Sequence, residues 1–274
     1  MNQSNVKILV CTHKKAPCLN DEVYMPIQVG RLDVDYDLGF QTDAEGINIG
    51  HKHYTYSEFT AIYWAWKNIK DIEYIGYCHY RRYFCLNQHK NYPREALIIK
   101  EEELFKIDFS TDSLKNIFSK YDVVLPRKRI FPSNVWKVMN SCHDKRDMQI
   151  VEKILEKLHP EYVQTFNKCL KKTNRLEQVG ILITRKEIFD RYCEWLFSIL
   201  EEIEKNTNFN ENSLHTGRKI GFIAEQLCPV YFHHHNFRIK HLPIAWINPN
   251  ETNKSWFRYH ASNIKSTVRF WFNI

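Results

Sequence analysis

Short apolar runs alternate along the chain with longer segments whose apolar residues recur at helical spacing. Five runs rich in β-branched and aromatic residues predict buried strands, at residues 6–11, 74–78, 121–128, 179–183 and 237–247. Strands that alternate with helices are typical of α/β proteins. The pattern therefore predicts an α/β fold with a largely parallel or mixed sheet.

The segments with helical spacing predict four helices. Two of them begin with the T-x-x-E pattern of a capping box, at Thr55–Glu58 and Thr184–Glu187, so we expect helices to start there. Residues 141–162 predict a third helix with one apolar face. Residues 217–235 predict a short helix that Pro229 interrupts, followed by an extended piece.

The composition narrows the class of protein without fixing a ligand. The 274 residues are 43% hydrophobic and carry 39 Lys and Arg against 32 Asp and Glu, a net charge of +7. This modest basic excess is compatible with phosphorylated ligands, an anionic membrane surface or nucleic acid. No run approaches the ~18 apolar residues of a transmembrane helix.

Eight cysteines are scattered along the chain, and none forms a C-x-x-C pair. We therefore expect reduced, mostly buried thiols and a cytoplasmic protein. The alternative is a zinc site drawn from Cys78, His79, Cys85 and the run His233–His235, although these residues lack the usual ligand spacing.

The strand at 74–78 ends abruptly in His79, Tyr80, Arg81 and Arg82. Two arginines at a strand end are costly to bury unless they meet an anion, and their forked donors fit phosphate oxygens in pairs. Because open α/β sheets bind ligands at the carboxyl ends of their strands, a diphosphate is the expected anion. The alternative is a structural ion pair or a solvated strand end.

His79 has two interpretations. Beside two arginines it is a candidate to donate to the same anion or to act as a base, whereas a lone histidine is more often structural. Thr12, His13 and Lys14 follow the first strand, where many nucleotide-binding domains carry their first ligand loop, although most such loops only turn the chain.

Two further groups of carboxylates are candidates for chemistry. Asp33 and Asp35 lie in the stretch DVDYD. Neighbouring carboxylates suit a divalent cation, and the alternative is that this stretch is a solvated loop without a ligand. Glu225 lies in GFIAEQL among apolar residues, so it must find a partner or stay at the helix edge. A functional and a surface carboxylate are both compatible with that position.

The stretch YSEFTAIYWAWKNIKDIEYIGYCHYRRYF at 56–84 resembles a bacterial family long known as a domain of unknown function. Genes of that family occur in capsule, exopolysaccharide and O-antigen clusters, and some members are galactofuranosyltransferases. The stretches THKK, MPIQVG, GINIGHKHY, SCHDKRD, IFDRYCEWLFSIL and GFIAEQL resemble it in the same order. The resemblance covers roughly residues 6 to 245 of the sequence.

The resemblance implies a glycosyltransferase with a GT-A-like, Rossmann-type single domain over residues 1–250, followed by a basic and aromatic tail at 251–274. It implies a UDP-hexose donor, UDP-galactofuranose or UDP-galactose, and a lipid-linked saccharide acceptor. Arg81 and Arg82 would supply the charge that a metal supplies in many such enzymes, so no cofactor is required. A divalent cation is the alternative.

The same resemblance implies roles for other residues. The candidates for binding the donor and its diphosphate are Thr12, His13, Lys14, Lys52, His79, Arg81 and Arg82. Gly180 and Tyr80 would lie on the acceptor side. Transfer with inversion needs a base, because the acceptor hydroxyl loses its proton during attack. The candidates for that base are Glu225, Asp147 and His143, of which Glu225 is favoured.

The sequence departs from the family at two places. Family members often carry an Asn in an Asn-Met-Phe-Ile-Met-like run before the long helix, where this chain has Gly180 to Thr184. They also tend to have Glu-Arg-Leu where this chain has Glu225, Gln226 and Leu227. The first departure bears on sugar specificity, and the second removes one positive charge.

The tail at 251–274 mixes aromatic with basic residues, which suits a membrane interface or packing against the domain or a partner subunit. We therefore expect a cytoplasmic protein that makes a peripheral contact with the inner face of the plasma membrane, with a homo-oligomer as an alternative. No nucleic-acid motif is recognisable, so nucleic acid is not an expected partner. A nucleic-acid-binding module and a non-catalytic assembly scaffold remain the alternative functions.

Overall fold

The computed structural model describes residues 5–86, 94–106, 112–142, 145–177, 180–206, 217–248, 250, 253 and 255–272, with the backbone alone at 142, 145–147 and 256. Its strands are β1 (Val6–Thr12), β2 (Tyr24–Gln28), β3 (Gln41–Thr42), β4 (Tyr74–His79), β5 (Arg82–Phe84), β6 (Ala96–Ile99), β7 (Val123–Pro126), β8 (Arg129–Ile130), β9 (Arg175–Leu176), β10 (Leu182–Arg185), β11 (Ile239–Leu242) and β12 (Ile244–Ile247). Its α-helices are α1 (His53–Tyr56), α2 (Phe59–Asn68), α3 (Leu114–Phe118), α4 (Val135–Cys142), α5 (Lys145–Leu158), α6 (Val163–Phe166), α7 (Lys186–Asn206), α8 (Lys219–His234) and α9 (Trp256–Phe272).

The main sheet has the strand order β11-β7-β10-β4-β1-β2-β3. Strand β10 runs antiparallel to both of its neighbours, and the other pairs along this path are parallel. Strands β5, β12 and β6 extend the sheet from the end of β4. The predicted α/β fold with a mixed, mostly parallel sheet is confirmed.

Alternating side chains give the sheet two hydrophobic faces. In β1, Leu9 and Cys11 join the core on one face, whereas Ile8 and Val10 join the core on the other. This alternation follows from the two-residue period of a strand. Most of the helices cover the first face. Because each face of the sheet has its own core, both faces of the central strands are buried.

The helices on the first face pack through large aromatic side chains. The rings of Trp66 in α2 and Phe197 in α7 stack with centroids 5.7 Å apart. Tyr63 meets the same phenylalanine edge-on at 5.0 Å. None of the helices that the structure describes is long and apolar enough to cross a membrane.

The two predicted capping boxes are wrong in their details. The hydroxyl of Thr55 donates to the carbonyl of Lys52, and Ser57 takes a left-handed φ of 55°, so helix α2 begins only at Phe59. Thr184 lies within β10 and donates its hydroxyl to a loop carbonyl. In both places the threonine finds a backbone acceptor outside the helix start.

Two further predictions are corrected at the carboxyl-terminal end. Helix α8 continues through Pro229 instead of stopping there, because the surrounding core buries the proline and the residues on either side. The late apolar run at 237–247 forms two strands, β11 and β12, that pair with different neighbours.

Candidate functional site

The parallel strands of the main sheet end at one common edge. β1 ends at Thr12 and β4 at His79, and these strands run in register from Val6 and Tyr74. Because β10 runs the opposite way, Gly180, two residues before its start, lies at the same edge. The loops that follow β1, β2 and β4 therefore converge with the entry to β10.

A cleft of about 300 Å³ opens at this edge. Its lining combines residues from the ends of β1, β2 and β4 with the starts of three helices: His13, Val29, Gly30, Asp33, Val34, Tyr36, His53, Ser57, Glu58, His79 and Arg218. The lining contains three imidazoles and Arg218 together with the carboxylates of Asp33 and Glu58, so the cleft is polar and offers both donors and acceptors.

One wall of the cleft is held by a buried carboxylate. Asp43 is fully buried and accepts hydrogen bonds from the backbone N–H groups of Gly30 at 2.9 Å and Arg31 at 3.2 Å. The hydroxyl of Thr60 donates to the same side chain at 2.6 Å. Gly30 has a φ of 69°, and a Cβ there would lie 2.4 Å from His53, so the wall requires glycine.

Aromatic and basic groups cluster beside the cleft. The imidazole of His13 lies edge-on to Tyr80 at 5.7 Å and 6.3 Å from that of His79. The charged groups of Lys14 and Arg81 lie over the same tyrosine ring, at 5.8 Å and 5.3 Å. Two side chains predicted to bind the diphosphate therefore share one aromatic platform.

The imidazole of His79 is uncharged at neutral pH. Burial, followed by the charges of Arg82 and Arg81, lowers its pKa to about 2. Its Nδ1 accepts a long hydrogen bond, 3.4 Å, from the backbone N–H of Arg81. A neutral ring that accepts at Nδ1 carries its proton on Nε2, so His79 is suited to donate to a ligand rather than to hold charge.

Arg82 differs from Arg81 in its surroundings. Arg81 is exposed, whereas Arg82 is half-buried, and its guanidinium lies 5.5 Å from the ring of Trp246. Burial lowers the pKa of Arg82, and the carboxylates of Glu225 and Glu58 oppose that shift. Among the described residues its buried Nε has no hydrogen-bond partner, so a donor is left available.

Glu225 and Glu58 form a carboxylate pair beside Arg82. A Cβ placed on Gly180 would lie 3.0 Å from Oε1 of Glu225 and 3.3 Å from Oε1 of Glu58, so both carboxylates crowd this glycine. Burial, followed by the charge of Glu58 and a hydrogen bond to it, raises the pKa of Glu225 to about 8. The pair therefore holds one proton at neutral pH.

Arg218 brings a further cation to the cleft. It stands at the start of α8 with a left-handed φ of 65°, and its backbone N–H donates to the carbonyl of Tyr54 at 2.8 Å. Its Nε donates to the hydroxyl of Ser57 at 3.1 Å. Its charge helps to lower the pKa of His79 and opposes the rise at Glu225, so all three share one electrostatic environment.

Other predicted site residues have different partners. Lys52 forms an ion pair with Glu204 at 2.6 Å. Asp33 accepts from His53 at 2.7 Å in the cleft wall, and Asp35 is exposed. The described residues contain no group of three or more His, Cys, Asp or Glu that could hold a metal ion.

The remaining predicted residues divide into two groups. The hydroxyl of Thr12 is buried and donates to the carbonyl of Lys14 at 2.7 Å, so it shapes the loop. His143 lies outside the described residues, as does the side chain of Asp147 in α5, and their roles stay predictions.

Glu58 and Arg218 were not among the site residues predicted from the sequence. Glu58 matched a capping box, and that pattern accounted for its carboxylate without a functional role. Arg218 lies 136 positions after Arg82 in the chain, and no local pattern links the two. Only the convergence of the strand ends brings them together.

A second, larger cleft of about 790 Å³ lies near the β7 and β10 end of the edge. Lys128, Lys168, Lys172 and Arg175 line it. At its base the buried carboxylate of Glu177 accepts hydrogen bonds from His233 at 3.0 Å and His241 at 2.7 Å, and it pairs with Lys128 at 3.4 Å.

The fold and the site together define an α/β protein with a polar cleft at the carboxyl ends of its strands and basic side chains beside it. The chain belongs to the family described as "Domain of unknown function (DUF4422)", which matches residues 7–236. This confirms the family resemblance in the sequence. No curated protein matches the chain.

Among solved structures the chain is similar to the WbbM bifunctional glycosyltransferase in its apo form. The two share 28% sequence identity and superpose with a TM-score of 0.78. The match covers 90% of this chain and 46% of WbbM, so the chain spans about half the length of that protein. The α/β fold is therefore like that of a known glycosyltransferase.

Proposed function

We propose that the chain is a glycosyltransferase of bacterial capsule, exopolysaccharide or O-antigen synthesis. It moves a hexose, galactofuranose or galactose, from a UDP-sugar to a lipid-linked saccharide on the cytoplasmic side of the plasma membrane. One observation carries the proposal: a half-buried arginine with an unused donor, Arg82, lies beside the carboxylate pair Glu225 and Glu58. The likeness to a glycosyltransferase fold supports it.

In this proposal the donor diphosphate lies against the strand-end cations. Arg82 uses its free Nε–H, while Arg81 and Lys14 approach from the aromatic platform of Tyr80. Neutral His79 donates from Nε2. These groups stabilise the charge that grows on the leaving diphosphate as the bond to the sugar breaks.

The proposed reaction is a single displacement at the anomeric carbon. The acceptor hydroxyl oxygen forms the new bond to that carbon, while the bond to the β-phosphate oxygen breaks and its electron pair leaves with UDP. The hydroxyl proton passes to the ionised member of the carboxylate pair, and Glu225 is the proposed base in the form of the pair in which Glu58 holds the proton. Because the pair already carries one proton and one negative charge, it still has an oxygen that can accept.

The acceptor is proposed to approach from the side of Gly180 and Tyr80. Glu177, in the base of the larger cleft, lies three positions before Gly180 in the chain. The lysines and Arg175 around that cleft suit an acceptor that carries phosphate as well as sugar hydroxyls.

No metal is required in this proposal, because the arginines neutralise the diphosphate. Activity that survives a chelator is the expected result, and strict dependence on Mn²⁺ or Mg²⁺ would replace this part of the proposal. Asp33 and Asp35 are then the residues to test, by measuring metal binding of their alanine variants.

The test of the function is binding and turnover with a panel of UDP-sugars. UDP or a UDP-sugar should raise the melting temperature, since a ligand at about 100 times its Kd stabilises by about 2.7 kcal/mol. Arg82→Ala should lower kcat/KM by about 100-fold or more, and Arg81→Ala by less, because Arg82 is the more buried. Calorimetry and a coupled assay for released UDP measure the two effects.

The exposed Arg129, which packs over Phe131, supplies a matched control in Arg129→Ala. Full activity in both strand-end variants would reject the diphosphate site. Absence of any UDP effect on the folded protein would favour the scaffold instead, and strongly salt-dependent binding to oligonucleotides would favour a nucleic-acid-binding module.

A further inference from the structure

Helix α9 presents a side of mixed polarity to the protein, where Phe270 is half-buried beside polar side chains. Tyr259, Asn263 and Thr267 are partly buried on that side, and the tyrosine hydroxyl donates to Glu95. The segment before the helix is fixed to β6 by the amide of Asn253, which donates to the carbonyl of Ile98 at 2.9 Å. Surface helices of globular proteins normally face their core with the apolar side, whereas α9 leaves most of its large apolar side chains exposed.

A second side of α9 is apolar and exposed, and its Ile264 and Val268 also border the groove between the helix and the body. Phe257, Ile264, Val268, Trp271 and Phe272 are 75%, 64%, 43%, 79% and 72% exposed. At 3.6 residues per turn these five positions fall within an arc of about 100°. One continuous apolar stripe of this kind marks a contact with another apolar phase or surface.

The charge of this segment selects the partner. Arg258, Lys265 and Arg269 lie along one flank of the apolar stripe, by the same helical spacing. The chain contains no Asp or Glu after Glu251, so no acidic residue offsets them. An apolar stripe with aromatic residues near both ends and a basic flank matches the composition of helices that lie in an anionic lipid interface.

We propose that α9 docks the protein on a bilayer that contains anionic lipid, with the helix lying in the headgroup plane. None of the described helices can span a membrane, so the contact is with one leaflet. A second copy of the chain is the less suitable partner, because it would bring two basic helices together. Anionic lipid takes up the apolar stripe and balances the charge of Arg258, Lys265 and Arg269.

The position of α9 gives the docking a consequence that rests on the proposed function. A groove of about 510 Å³ separates the helix from the body, and Lys128 and Arg175 line both this groove and the larger cleft. A saccharide attached to a lipid in the docked bilayer would therefore meet the basic cleft from the side of α9.

The test is flotation of the full chain with two kinds of vesicle, phosphatidylcholine alone and an equimolar mixture with phosphatidylglycerol. The protein should float with the mixed vesicles and much less with the neutral ones. The double variant Phe257→Ser, Trp271→Ser should reduce binding to the mixed vesicles at least about tenfold. Phe105→Ser is the matched control, since Phe105 is 68% exposed but lies outside α9.

A charge test separates the two contributions. The triple variant Arg258→Gln, Lys265→Gln, Arg269→Gln should lose binding to the mixed vesicles, whereas glutamine at the exposed Lys106, Lys120 and Lys153 should not. Undiminished flotation of the α9 variants would overturn the proposal. A wild-type chain that does not float with the mixed vesicles would also overturn it. In that case, a dimer that light scattering detects in wild type but not in the α9 variants would identify a second copy as the partner.

The readouts keep this proposal distinct from the glycosyltransferase proposal. All α9 variants should keep the wild-type melting temperature and its rise with UDP, which shows that they are folded. If UDP has no effect on any of these proteins, vesicle binding still decides the role of α9.

Discussion

At the residue scale, the pair formed by Glu225 and Glu58 sets the charge of the site. Two carboxylates that share a confined space ionise in sequence, so one proton stays on the pair after the first is lost. Arg82 and Arg218 oppose the rise in the pKa of Glu225 without cancelling it. At neutral pH the pair therefore carries one negative charge, whereas two free glutamates would carry two.

This proton has a cost for stability that depends on pH. The folded carboxylate pair keeps one proton up to about pH 8, the raised pKa of Glu225, whereas the unfolded chain releases that proton near 4.5. The folded state thus binds more protons between these values, and the contribution of Glu225 to the free energy of unfolding is lost as the pH rises through them.

We predict that Glu225→Gln removes this loss. The free energy of unfolding of the variant relative to wild type should rise between pH 5 and pH 8, by about 1–3 kcal/mol after allowance for partial solvent screening. Denaturant titrations at several pH values measure it. If Glu225 is the base, the same variant should lower kcat by about 100-fold or more.

The exposed Glu201 serves as the control in Glu201→Gln, which should show neither effect. A parallel pH dependence of wild type and Glu225→Gln would mean that the proton is not held at Glu225. Near-normal turnover of the variant would remove its role as base.

Gly180 allows a second prediction about the same carboxylates. Its φ is 51°, and a Cβ would lie 3.0 Å from Oε1 of Glu225, so Gly180→Ala both strains the backbone and displaces the pair. Gly39 has a φ of 74° with nothing within 4 Å of a Cβ, so Gly39→Ala carries the strain alone.

We expect both alanine variants to lose about 1–2 kcal/mol of stability, because both place a Cβ in the left-handed region. Only Gly180→Ala should also lower kcat, by about tenfold or more, since only there does the methyl group move the reacting carboxylates. Thermal denaturation and steady-state kinetics measure the two effects. Equal kinetics in the two variants would contradict the placement of Gly180 at the site.

Only part of this residue-scale arrangement could be predicted from the sequence. Arg82 and Glu225 were recognisable because a charged side chain next to an apolar run demands a partner. Glu58 was not, because the T-x-x-E pattern already accounted for it. Its carboxylate is freed by the left-handed turn at Ser57, a backbone feature that no side-chain pattern specifies.

At the scale of elements, the segment between β2 and α1 forms the outer wall of the cleft. Asp43 ties this wall to α2, because it accepts two backbone N–H groups from the wall and one hydroxyl from the helix. Its carboxylate is fully buried and all of its bonds are to donors, so it acts as the anchor of a loop with little secondary structure.

We predict that Asp43→Ala lowers the melting temperature and weakens UDP binding. Two orphaned backbone donors and one lost charged hydrogen bond should cost about 2–4 kcal/mol. The affinity should fall because Gly30 and Asp33 of the same wall line the cleft. Differential scanning fluorimetry and calorimetry measure the two changes.

Asp37→Ala is the matched control. Asp37 lies in the same segment, but its contact with Arg31 is long, at 3.8 Å, and its hydrogen bond from the backbone N–H of Gly39, at 2.7 Å, is exposed to solvent. Exposed pairs of this kind contribute little, so stability and affinity should stay close to wild type. An Asp43 variant as stable as this control would contradict the anchoring role.

Helix α8 shows why the prediction of elements was incomplete. Pro229 has no N–H to donate to the carbonyl of Glu225, four residues earlier, and from the sequence this predicted a break. The buried surface of α8, from Ile220 to Phe232, outweighs that lost hydrogen bond. Tertiary packing decided the length of the helix, and no local propensity reports on packing.

At the scale of the whole molecule, antiparallel β10 lies in the middle of the sheet edge that carries both clefts, and it connects the side of the smaller cleft with the side of the larger one. It lies between β4, which leads to the arginines, and β7, which leads to the larger cleft. The runs of apolar residues could predict these strands but not their order, because pairing partners lie far apart in sequence. Glu177, which precedes β10 in the chain, shows how the side with the larger cleft is held together.

Burial alone would raise the pKa of Glu177, but the hydrogen bonds from His233 and His241 and the charge of Lys128 outweigh it and hold the pKa below its ordinary value. This carboxylate joins the ends of β7, α8 and β11 to the segment before β10. A carboxylate with a lowered pKa stabilises the folded chain above the unfolded pKa near 4.5 and loses that contribution as the pH falls through the folded value.

We predict that Glu177→Gln lowers the free energy of unfolding by about 1–3 kcal/mol at pH 7, because a neutral acceptor replaces a charged one beneath two imidazoles and a lysine. The difference from wild type should shrink as the pH is lowered below 4.5, because the unfolded wild-type chain then binds a proton that the folded chain still excludes. Glu161→Gln, at an exposed carboxylate on the same cleft, should match wild type throughout. Urea titrations across this pH range measure it, and a constant gap between wild type and Glu177→Gln would show that packing rather than charge joins these elements.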